Sequence, residues 1–163
     1  MTKIVFSHGH NDHTRGMSFL SKSSGLFGKS VYAHPLFLNS KRYEKLDIGS
    51  PKSTEWVSNK FDLNLQKEPI KLTNKIWYLG EIGQYTAFEE REAIGEYFVN
   101  NKWEDDYVMD DTAMVYETDE GLFIITGCSH SGICNICEHA KKVTGTNKIL
   151  GIIGGFHLFD LDE

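Results

Sequence analysis

The sequence lacks the features that mark several large classes of protein. It has only three cysteines and three prolines among 163 residues, and an odd, small number of cysteines argues against a secreted disulfide framework. No stretch approaches the roughly 18 uninterrupted apolar residues of a membrane-spanning helix. Its 23 acidic residues outnumber 17 basic ones, giving a net charge of −6, which offers no electrostatic footprint for nucleic acid. We therefore expect a cytoplasmic protein with neither a nucleic-acid nor a membrane partner.

The chain does contain enough apolar residues for one buried core. Apolar side chains make up 40% of its 163 residues, which is the length of one domain. Because no internal repeat or linker divides the chain, we interpret residues 1–163 as a single domain. Strand patterns that alternate with helical ones, with a hairpin between them, indicate an α+β fold in the form of a mixed α/β sandwich.

Short apolar runs predict where the main elements lie. Strands are predicted at 3–7, 30–34, 75–79 and 148–153, and a short helix is predicted near 17–20. Two β-rich runs at 112–118 and 122–126, joined by a glycine-containing loop, predict a hairpin. A helix is predicted at 131–143, ended by Gly145. The stretch 41–72 shows no clear period and is predicted to be irregular.

The densest group of reactive side chains directly follows the first predicted strand. His8, His10, Asp12 and His13 form the pattern His-x-His-x-Asp-His. Neutral imidazoles and a carboxylate are suitable ligands for Zn²⁺, Mn²⁺ or Fe²⁺, and on a loop they can converge without the fixed spacing of a helix. Gly9, between the first two histidines, permits a close approach of the backbone. This pattern favours a metal site over the alternative, a solvated polar loop.

Two more histidines occupy equivalent settings at the ends of apolar runs. His130 lies in the segment GCSHSG at 127–132, and His157 follows two glycines at 154–155. Small neighbours leave room for a metal complex at each position. A single histidine at a strand end is usually structural, but three such strand ends in one chain favour a shared metal site.

Together these motifs resemble the metallo-β-lactamase superfamily. The HGHNDH segment at 8–13 looks like its metal-binding signature, and GCSHSGI at 127–133 and IGGFHL at 153–158 narrow the match. With GEI at 80–82, FE at 88–89 and DDTA at 110–113, they resemble the branch that contains the dihydropterin ribofuranosylaminobenzene-phosphate synthases and related metal-dependent hydrolases. The resemblance extends from residue 4 to residue 158.

This resemblance implies a metallo-β-lactamase-like fold with one or two metal ions. Zn²⁺ is the expected ion, with Mn²⁺, Fe²⁺ and Mg²⁺ as alternatives. One ion would share the first two histidines of the motif with His130, and the second would bind Asp12 and His13. His157 stands where the superfamily usually has an acidic bridging ligand. The residues that the resemblance assigns to metals are His8, His10, Asp12, His13, His130 and His157.

The implied activity is that of a metal-dependent hydrolase or transferase on a small molecule, for instance a pterin-type or phosphate-bearing one. In a hydrolase the metal activates water, and Asp12 is the expected catalytic residue, which orients that water or takes its proton. In a synthase-like reaction the metals would instead stabilise a leaving diphosphate. Both reactions use the same site.

Residues in the middle of the chain are candidates for contact with the substrate. Glu81, Tyr85 and Phe88 fall at or beside positions that match the family, and ordinary loop packing is an equally good interpretation of them. Asp110 and Asp111 either support a ligand histidine from behind or form a charged entry to the hairpin.

The cysteines allow a second constellation. Cys128, Cys134, Cys137 and His139 could form a structural zinc site. However, Cys134 and Cys137 lie on the predicted helix, where thiols usually act as small apolar groups, so no such site is predicted. His34 and His139 are expected not to bind metal.

The family pattern also has strands before the first motif and a helix, a strand and a histidine after the last one, for which this sequence has no counterpart. We therefore expect a partial fold, truncated at both ends, with an exposed sheet edge or an open apolar face. Such a surface would favour a homo-oligomer or a complementing polypeptide. The rival interpretation of function is a catalytically silent chain that binds metal and needs a partner polypeptide to complete the site.

Overall fold

The computed structural model describes residues 3–20, 22 and 25–158, which form three sheets and four helices. The strands in chain order are β1 (Lys3–Val5), β2 (Ser30–Ala33), β3 (Lys41–Tyr43), β4 (Leu46–Asp47), β5 (Asp62–Leu65), β6 (Ile70–Lys71), β7 (Ile76–Tyr78), β8 (Glu96–Val99), β9 (Lys102–Asp105), β10 (Ala113–Thr118), β11 (Gly121–Thr126) and β12 (Ile149–Ile153). The helices are α1 (Asn11–Thr14), α2 (Met17–Leu20), α3 (Thr54–Ser58) and α4 (Ile133–Thr144). None of these helices is long and apolar enough to span a bilayer.

The first sheet consists of three parallel strands in the order β1-β2-β5. Ile4 pairs with Val31, which pairs with Leu63 on the other side. Helices α2 and α3 contribute Met17 and Val57 to the apolar core on this sheet. The buried side chains of this core are Ile4, Phe6, Met17, Val31, Ala33, Phe37, Val57 and Phe61.

The second sheet has five strands in the order β12-β11-β10-β7-β6 and is built around the β10–β11 hairpin. Strand β12 joins its edge parallel to β11, and helix α4 packs on one face. The alternation of the hairpin directs Val115, Leu122 and Ile124 toward that helix. The buried side chains of this second core are Leu79, Ile82, Ala113, Val115, Leu122, Ile124, Ile136 and Ala140.

Helix α4 is defined by specific contacts at both ends. The Glu89 carboxylate accepts hydrogen bonds from the backbone N–H groups of Cys134 (3.0 Å) and Asn135 (2.8 Å), which satisfies donors that are free in the first turn of a helix. The helix ends at Gly145, whose left-handed φ of 74° allows its N–H to bond the Lys141 carbonyl at 2.8 Å. The predicted helix is confirmed, and it begins two residues later than expected, at Ile133.

The predicted strands at 3–7, 30–34, 75–79 and 148–153 are confirmed as β1, β2, β7 and β12, and the hairpin is confirmed as β10 and β11. The prediction that 41–72 is irregular is wrong, because this stretch contains β3, β4, α3, β5 and β6. These elements are two to five residues long, too short to show a period. Strands β3 and β4 join β8 and β9 in a third, antiparallel sheet.

The face of the second sheet opposite helix α4 is apolar and exposed. Tyr116, Phe123, Ile125 and Ile153 are 40%, 43%, 42% and 69% exposed, and register places Tyr116 beside Phe123 and Ile125 beside Ile153. We call these four residues the open face. A cavity of about 420 Å³ lies between β1 and the β10–β11 hairpin and includes Ile125. The expected open apolar surface is therefore present on this sheet.

Candidate metal centre

The predicted ligands come together where strands of two different sheets end. His8 and His10 follow β1 in the first sheet, and His13 lies on α1 directly after them. His130 lies in the turn between β11 and α4, and His157 follows β12. The site is thus formed by loops that the two sheets bring together.

Three imidazoles lie against one another at this site. The ring centroids of His8 and His10 are 4.7 Å apart, those of His8 and His130 are 4.8 Å apart, and those of His10 and His130 are 5.0 Å apart. The rings are nearly perpendicular to one another, with interplanar angles of 82°, 79° and 81°. The structure thus brings the three histidines assigned to the first ion into mutual contact.

Several nitrogen atoms of these rings are buried and have no hydrogen-bond partner among the described residues. This is true of Nε2 of His8, Nε2 of His10 and both ring nitrogens of His130. Buried polar groups in proteins are normally satisfied, so a cluster of orphaned imidazole nitrogens requires an explanation. A divalent ion that takes nitrogen ligands fits this donor set, since it would satisfy several of these atoms at once.

Burial also keeps these imidazoles neutral. Desolvation lowers the pKa of His8 far below its usual value, and the neighbouring imidazoles His10, His130 and His13 lower it further. Burial lowers the pKa of His130 to about 3, with His10 and His157 contributing. The pKa of His10 is lowered chiefly by burial and then by Lys41. At neutral pH the rings therefore carry free lone pairs, the form in which histidine binds metals.

A second group of potential ligands lies beside the first. Ligand atoms of Asp12, His13 and Cys128 are all within 4.8 Å of one another, and so are those of His8, Cys128 and His130. His13 Nε2 is 3.5 Å from Asp12 Oδ2 and 3.1 Å from Cys128 Sγ. Burial raises the pKa of Cys128 to about 11, with the charges of Asp12 and Asp111 adding to the effect. Without an ion, Cys128 is therefore a neutral thiol that contacts His13.

His157 lies at the rim of the cluster. Its ring centroid is 4.4 Å from that of His130, but His157, like His10, belongs to neither of the two groups of converging ligand atoms found within the described residues. It lines two of the cavities that open beside the site. The proximity brings His157 to the metal centre, and its role as a ligand stays a prediction.

Two buried carboxylates hold the backbones of the ligand loops. Asp110 Oδ2 accepts a hydrogen bond from the Gly9 N–H at 2.7 Å, and Asp111 Oδ2 accepts from the N–H (2.9 Å) and the hydroxyl (2.7 Å) of Ser131. Both side chains are fully buried rather than forming a charged surface at the hairpin. These contacts fit the first of the two interpretations given for this pair. Asp110 and Asp111 support the loops of the ligand histidines through hydrogen bonds to Gly9 and Ser131.

The two carboxylates differ in their electrostatics. Burial alone would raise the pKa of Asp110, but Lys41 and the Gly9 N–H lower it below its usual value. For Asp111, burial outweighs the hydrogen bonds from Ser131 and raises the pKa to about 6. Lys41 is itself buried and pairs with both Asp106 (2.7 Å) and Asp110 (2.8 Å). The loop that carries His8 and His10 is thus attached to a buried ionic network.

Gly9 is required because the chain passes very close to a neighbouring loop. A Cβ atom at this position would overlap the backbone carbonyl of Phe37 and approach Asp110 Oδ2 to 3.1 Å. No residue with a side chain fits there without movement of the Phe37 loop. This confirms the sequence-based argument that the glycine permits close approach of the backbone.

Two cavities open beside the histidines and could hold a small molecule. One, of about 590 Å³, extends from His10, Asp12 and Cys128 to the apolar side chains of Tyr43 and Ile48. The other, of about 310 Å³, shares His130 and His157 with the first and reaches the loop at 89–94. Both combine apolar walls with a few polar groups, as small-molecule sites usually do.

The three candidate substrate residues do not line these two cavities. Glu81 Oε2 is 2.9 Å from His34 Nε2, and the Tyr85 hydroxyl is 2.8 Å from His139 Nδ1. Phe88 is 77% exposed. These placements are those of loop packing, the alternative interpretation, and contact with a substrate stays a prediction.

The remaining cysteines and histidines are not gathered into a metal site. Within the described residues, no group of potential ligands contains Cys134, Cys137 or His139. His139 Nε2 instead bonds the Leu79 carbonyl at 3.0 Å, and His34 is paired with Glu81. The contacts of both histidines are therefore structural, and their assignment as non-ligands stays a prediction.

Sequence reasoning considered Cys128 only as part of a structural zinc site. Its contact with His13 was not predicted. The left-handed φ of 61° at Ser129 turns the chain between Cys128 and His130, so no strand periodicity relates these two side chains, and His13 lies 115 positions away.

Two curated proteins are similar to this chain over nearly its whole length. The chain is 33% identical, over 98% of its length and 57% of the relative's, to the 7,8-dihydropterin-6-methyl-4-(β-D-ribofuranosyl)-aminobenzene-5′-phosphate synthase of Methanocaldococcus jannaschii. It is 32% identical, over 98% of its length and 59% of the relative's, to an uncharacterised protein of the same archaeon. The chain thus spans less than three fifths of each of these relatives. No protein-family model matches it.

A solved structure also resembles the fold. The crystal structure of a metal-dependent hydrolase of the β-lactamase superfamily superposes with a TM-score of 0.81 and 25% identity. The match covers 99% of this chain and 59% of that one. The mixed α/β architecture described above is therefore that of the β-lactamase superfamily.

Proposed function

Because the chain has a metallo-β-lactamase-like fold and resembles the branch that includes the dihydropterin synthase of M. jannaschii, we propose that it is a metal-dependent hydrolase or transferase. Its substrate is a small molecule of the pterin-type or phosphate-bearing class. We place the protein in the cytoplasm, where its three free thiols would stay reduced.

One observation carries this proposal. The imidazoles of His8, His10 and His130 lie at centroid distances of 4.7 to 5.0 Å, and four of their nitrogens are buried with no hydrogen-bond partner in the described part of the chain. Three neutral histidines with one open position are the usual ligand set of a catalytic zinc ion. This supports Zn²⁺ as the first ion to test, with Mn²⁺, Fe²⁺ and Mg²⁺ as alternatives.

In this proposal the first ion is held by His8, His10 and His130, and a second by Asp12 and His13. When bound, such ions supply Lewis acidity, which activates water as a nucleophile or stabilises a negatively charged leaving group. The Asp12 side chain is 69% exposed and faces the cavity of about 590 Å³. It is therefore accessible to orient a water molecule or accept its proton.

The experiment that tests the proposal combines metal loading with assays of two reaction types. Protein loaded with Zn²⁺, Mn²⁺ or Fe²⁺ is assayed for hydrolysis of phosphodiesters and lactones, and for diphosphate release from a ribose diphosphate in the presence of an arylamine. We expect turnover that chelation abolishes and that falls at least about 100-fold in Asp12→Asn, the range for loss of a general base.

The matched control is Asp119→Asn, in the exposed turn of the hairpin, which should retain full activity. Turnover that survives complete removal of metal, or that Asp12→Asn leaves unchanged, would contradict the assigned mechanism.

The open face supports a second candidate function. Four large apolar side chains stay 40% to 69% exposed on one sheet face, as expected of a surface that another polypeptide covers. In this alternative the chain binds metal but needs a partner polypeptide to become active. Metal binding without turnover, followed by turnover when a complementing chain is added, would favour this alternative over the self-sufficient enzyme.

A further inference from the structure

We propose that Cys128 supplies a thiolate ligand to the metal centre, at the ion that Asp12 and His13 would hold. This inference rests on the proposed function and refines it, because it makes the second site a mixed carboxylate, imidazole and thiolate site. Sequence motifs assigned only two protein ligands to that ion.

The geometry around the sulfur atom is the first argument. Cys128 Sγ lies 3.1 Å from His13 Nε2, and these two atoms and an Asp12 carboxylate oxygen all lie within 4.8 Å of one another. Zinc binds sulfur at about 2.3 Å and nitrogen at about 2.0 Å, so two such ligands on a tetrahedral ion are separated by roughly 3.5 Å. The three groups need only small side-chain adjustments to reach that spacing.

The loop that carries Cys128 is held in place by its neighbours. The Ser129 hydroxyl donates to the Gly155 carbonyl at 2.7 Å and lies 3.0 Å from Thr126 Oγ1. Ser129 itself has a left-handed φ of 61°, so the chain turns sharply directly after Cys128. The sulfur is thus positioned by a fixed turn and not by a flexible segment.

The requirements of the ion are the second argument. Zinc sites in proteins use three protein ligands when catalytic and four when structural. Asp12 and His13 supply two, and Cys128 supplies the third. A thiolate also selects softer ions, such as Zn²⁺ or Fe²⁺, over Mg²⁺.

The other two cysteines provide a contrast. Cys134 lies on the first turn of α4, where its N–H bonds Glu89, and Cys137 packs against the second core. Neither belongs to a group of potential ligands within the described residues. Only the sulfur of Cys128 lies in both groups. Substitution of Cys128 should therefore change metal binding, whereas substitution of the other two cysteines should not.

The test uses Co²⁺, which gives an intense near-ultraviolet charge-transfer band when a thiolate binds it. Wild-type protein, Cys128→Ser and the control Cys137→Ser are titrated with Co²⁺, and bound metal is counted in parallel. We expect the band in the wild type and in Cys137→Ser and its loss in Cys128→Ser. In Cys128→Ser we also expect one ion to bind more than about 100-fold more weakly, since even changes behind a ligand weaken binding about 10- to 100-fold.

Thermal unfolding of the metal-free variants checks that Cys128→Ser is folded, and protection of Cys128 from alkylation by added Zn²⁺ gives a second readout in the wild type. A band that persists in Cys128→Ser, or two bound ions without any band in the wild type, would overturn the role of Cys128 but not the proposed function. Wild-type protein that binds no ion would overturn the proposed function as well.

Discussion

The histidine cluster and the open face both have unmet interactions, but of different kinds. The unmet interactions of the cluster are polar, and those of the open face are apolar. In the cluster, imidazole nitrogens are buried without hydrogen-bond partners. On the open face, the apolar side chains of Tyr116, Phe123, Ile125 and Ile153 are 40% to 69% exposed. Buried polar atoms favour an ion, whereas exposed apolar area favours another apolar surface. The cluster is therefore expected to bind a metal ion, and the open face is expected to bind another polypeptide.

The two regions also differ in how firmly they are held. The loop of His8 and His10 is attached through Gly9 to Asp110, which is paired with the buried Lys41. The open face needs no such support, because its residues share strands with the well-packed second core. Preorganisation is thus concentrated where ligand atoms must converge.

Removing Asp110 should have the largest effect, because it breaks the support of the cluster. In Asp110→Ala, the buried Lys41 keeps only Asp106 as its partner, and the Gly9 N–H loses its acceptor. We expect the free energy of unfolding of the metal-free protein to fall by about 3 to 5 kcal/mol, the range for a broken buried ion pair. Urea denaturation measures this change.

The control for that variant is Glu96→Gln, which breaks a half-exposed pair with Arg42 at 2.7 Å. Its expected change is within about 1 kcal/mol, as for most surface salt bridges. If Asp110→Ala were no more destabilising than Glu96→Gln, the buried network would not be the support of the ligand loop.

A charge on the open face should change association while leaving the cluster intact. We expect the wild type to sediment as a concentration-dependent oligomer and Ile125→Glu to shift it toward the monomer, because a carboxylate on this face opposes apolar burial. Metal content should be unchanged. Sedimentation velocity at several concentrations measures the effect.

Phe88→Glu is the matched control, since Phe88 is 77% exposed but lies outside the open face. This variant should associate like the wild type. A wild-type protein that remains monomeric at every concentration would contradict the interpretation of the open face as a docking surface for a second polypeptide.

Local patterns predicted the parts of the molecule that depend on neighbours in sequence. The β10–β11 hairpin is encoded by two apolar runs and a short loop between them, and α4 by an apolar stripe that ends in Gly145. The cluster of His8, His10 and His13 is likewise local. Its meeting with His130, about 120 positions later, was expected from three strand ends and from the family resemblance.

The parts that were missed depend on distant residues. Lys41 finds Asp106 and Asp110 at separations of 65 and 69 positions, and no period marks such a pair. The path of the loop at 80–95 follows from contacts with α4, where Glu89 caps the helix. The contact of Cys128 with His13 was not predicted, because the two residues lie 115 positions apart.

The most direct test of the account is the metal content and affinity of the purified, reconstituted protein. Elemental analysis and chelator competition are applied to the wild type, to His130→Ala and to the control His34→Gln, whose histidine pairs with Glu81. We expect at least one tightly bound ion in the wild type and in His34→Gln, and more than about 100-fold weaker binding in His130→Ala, since even changes behind a ligand weaken binding about 10- to 100-fold. A wild-type protein that binds no ion tightly, or a His130→Ala variant that binds as the wild type does, would contradict the account.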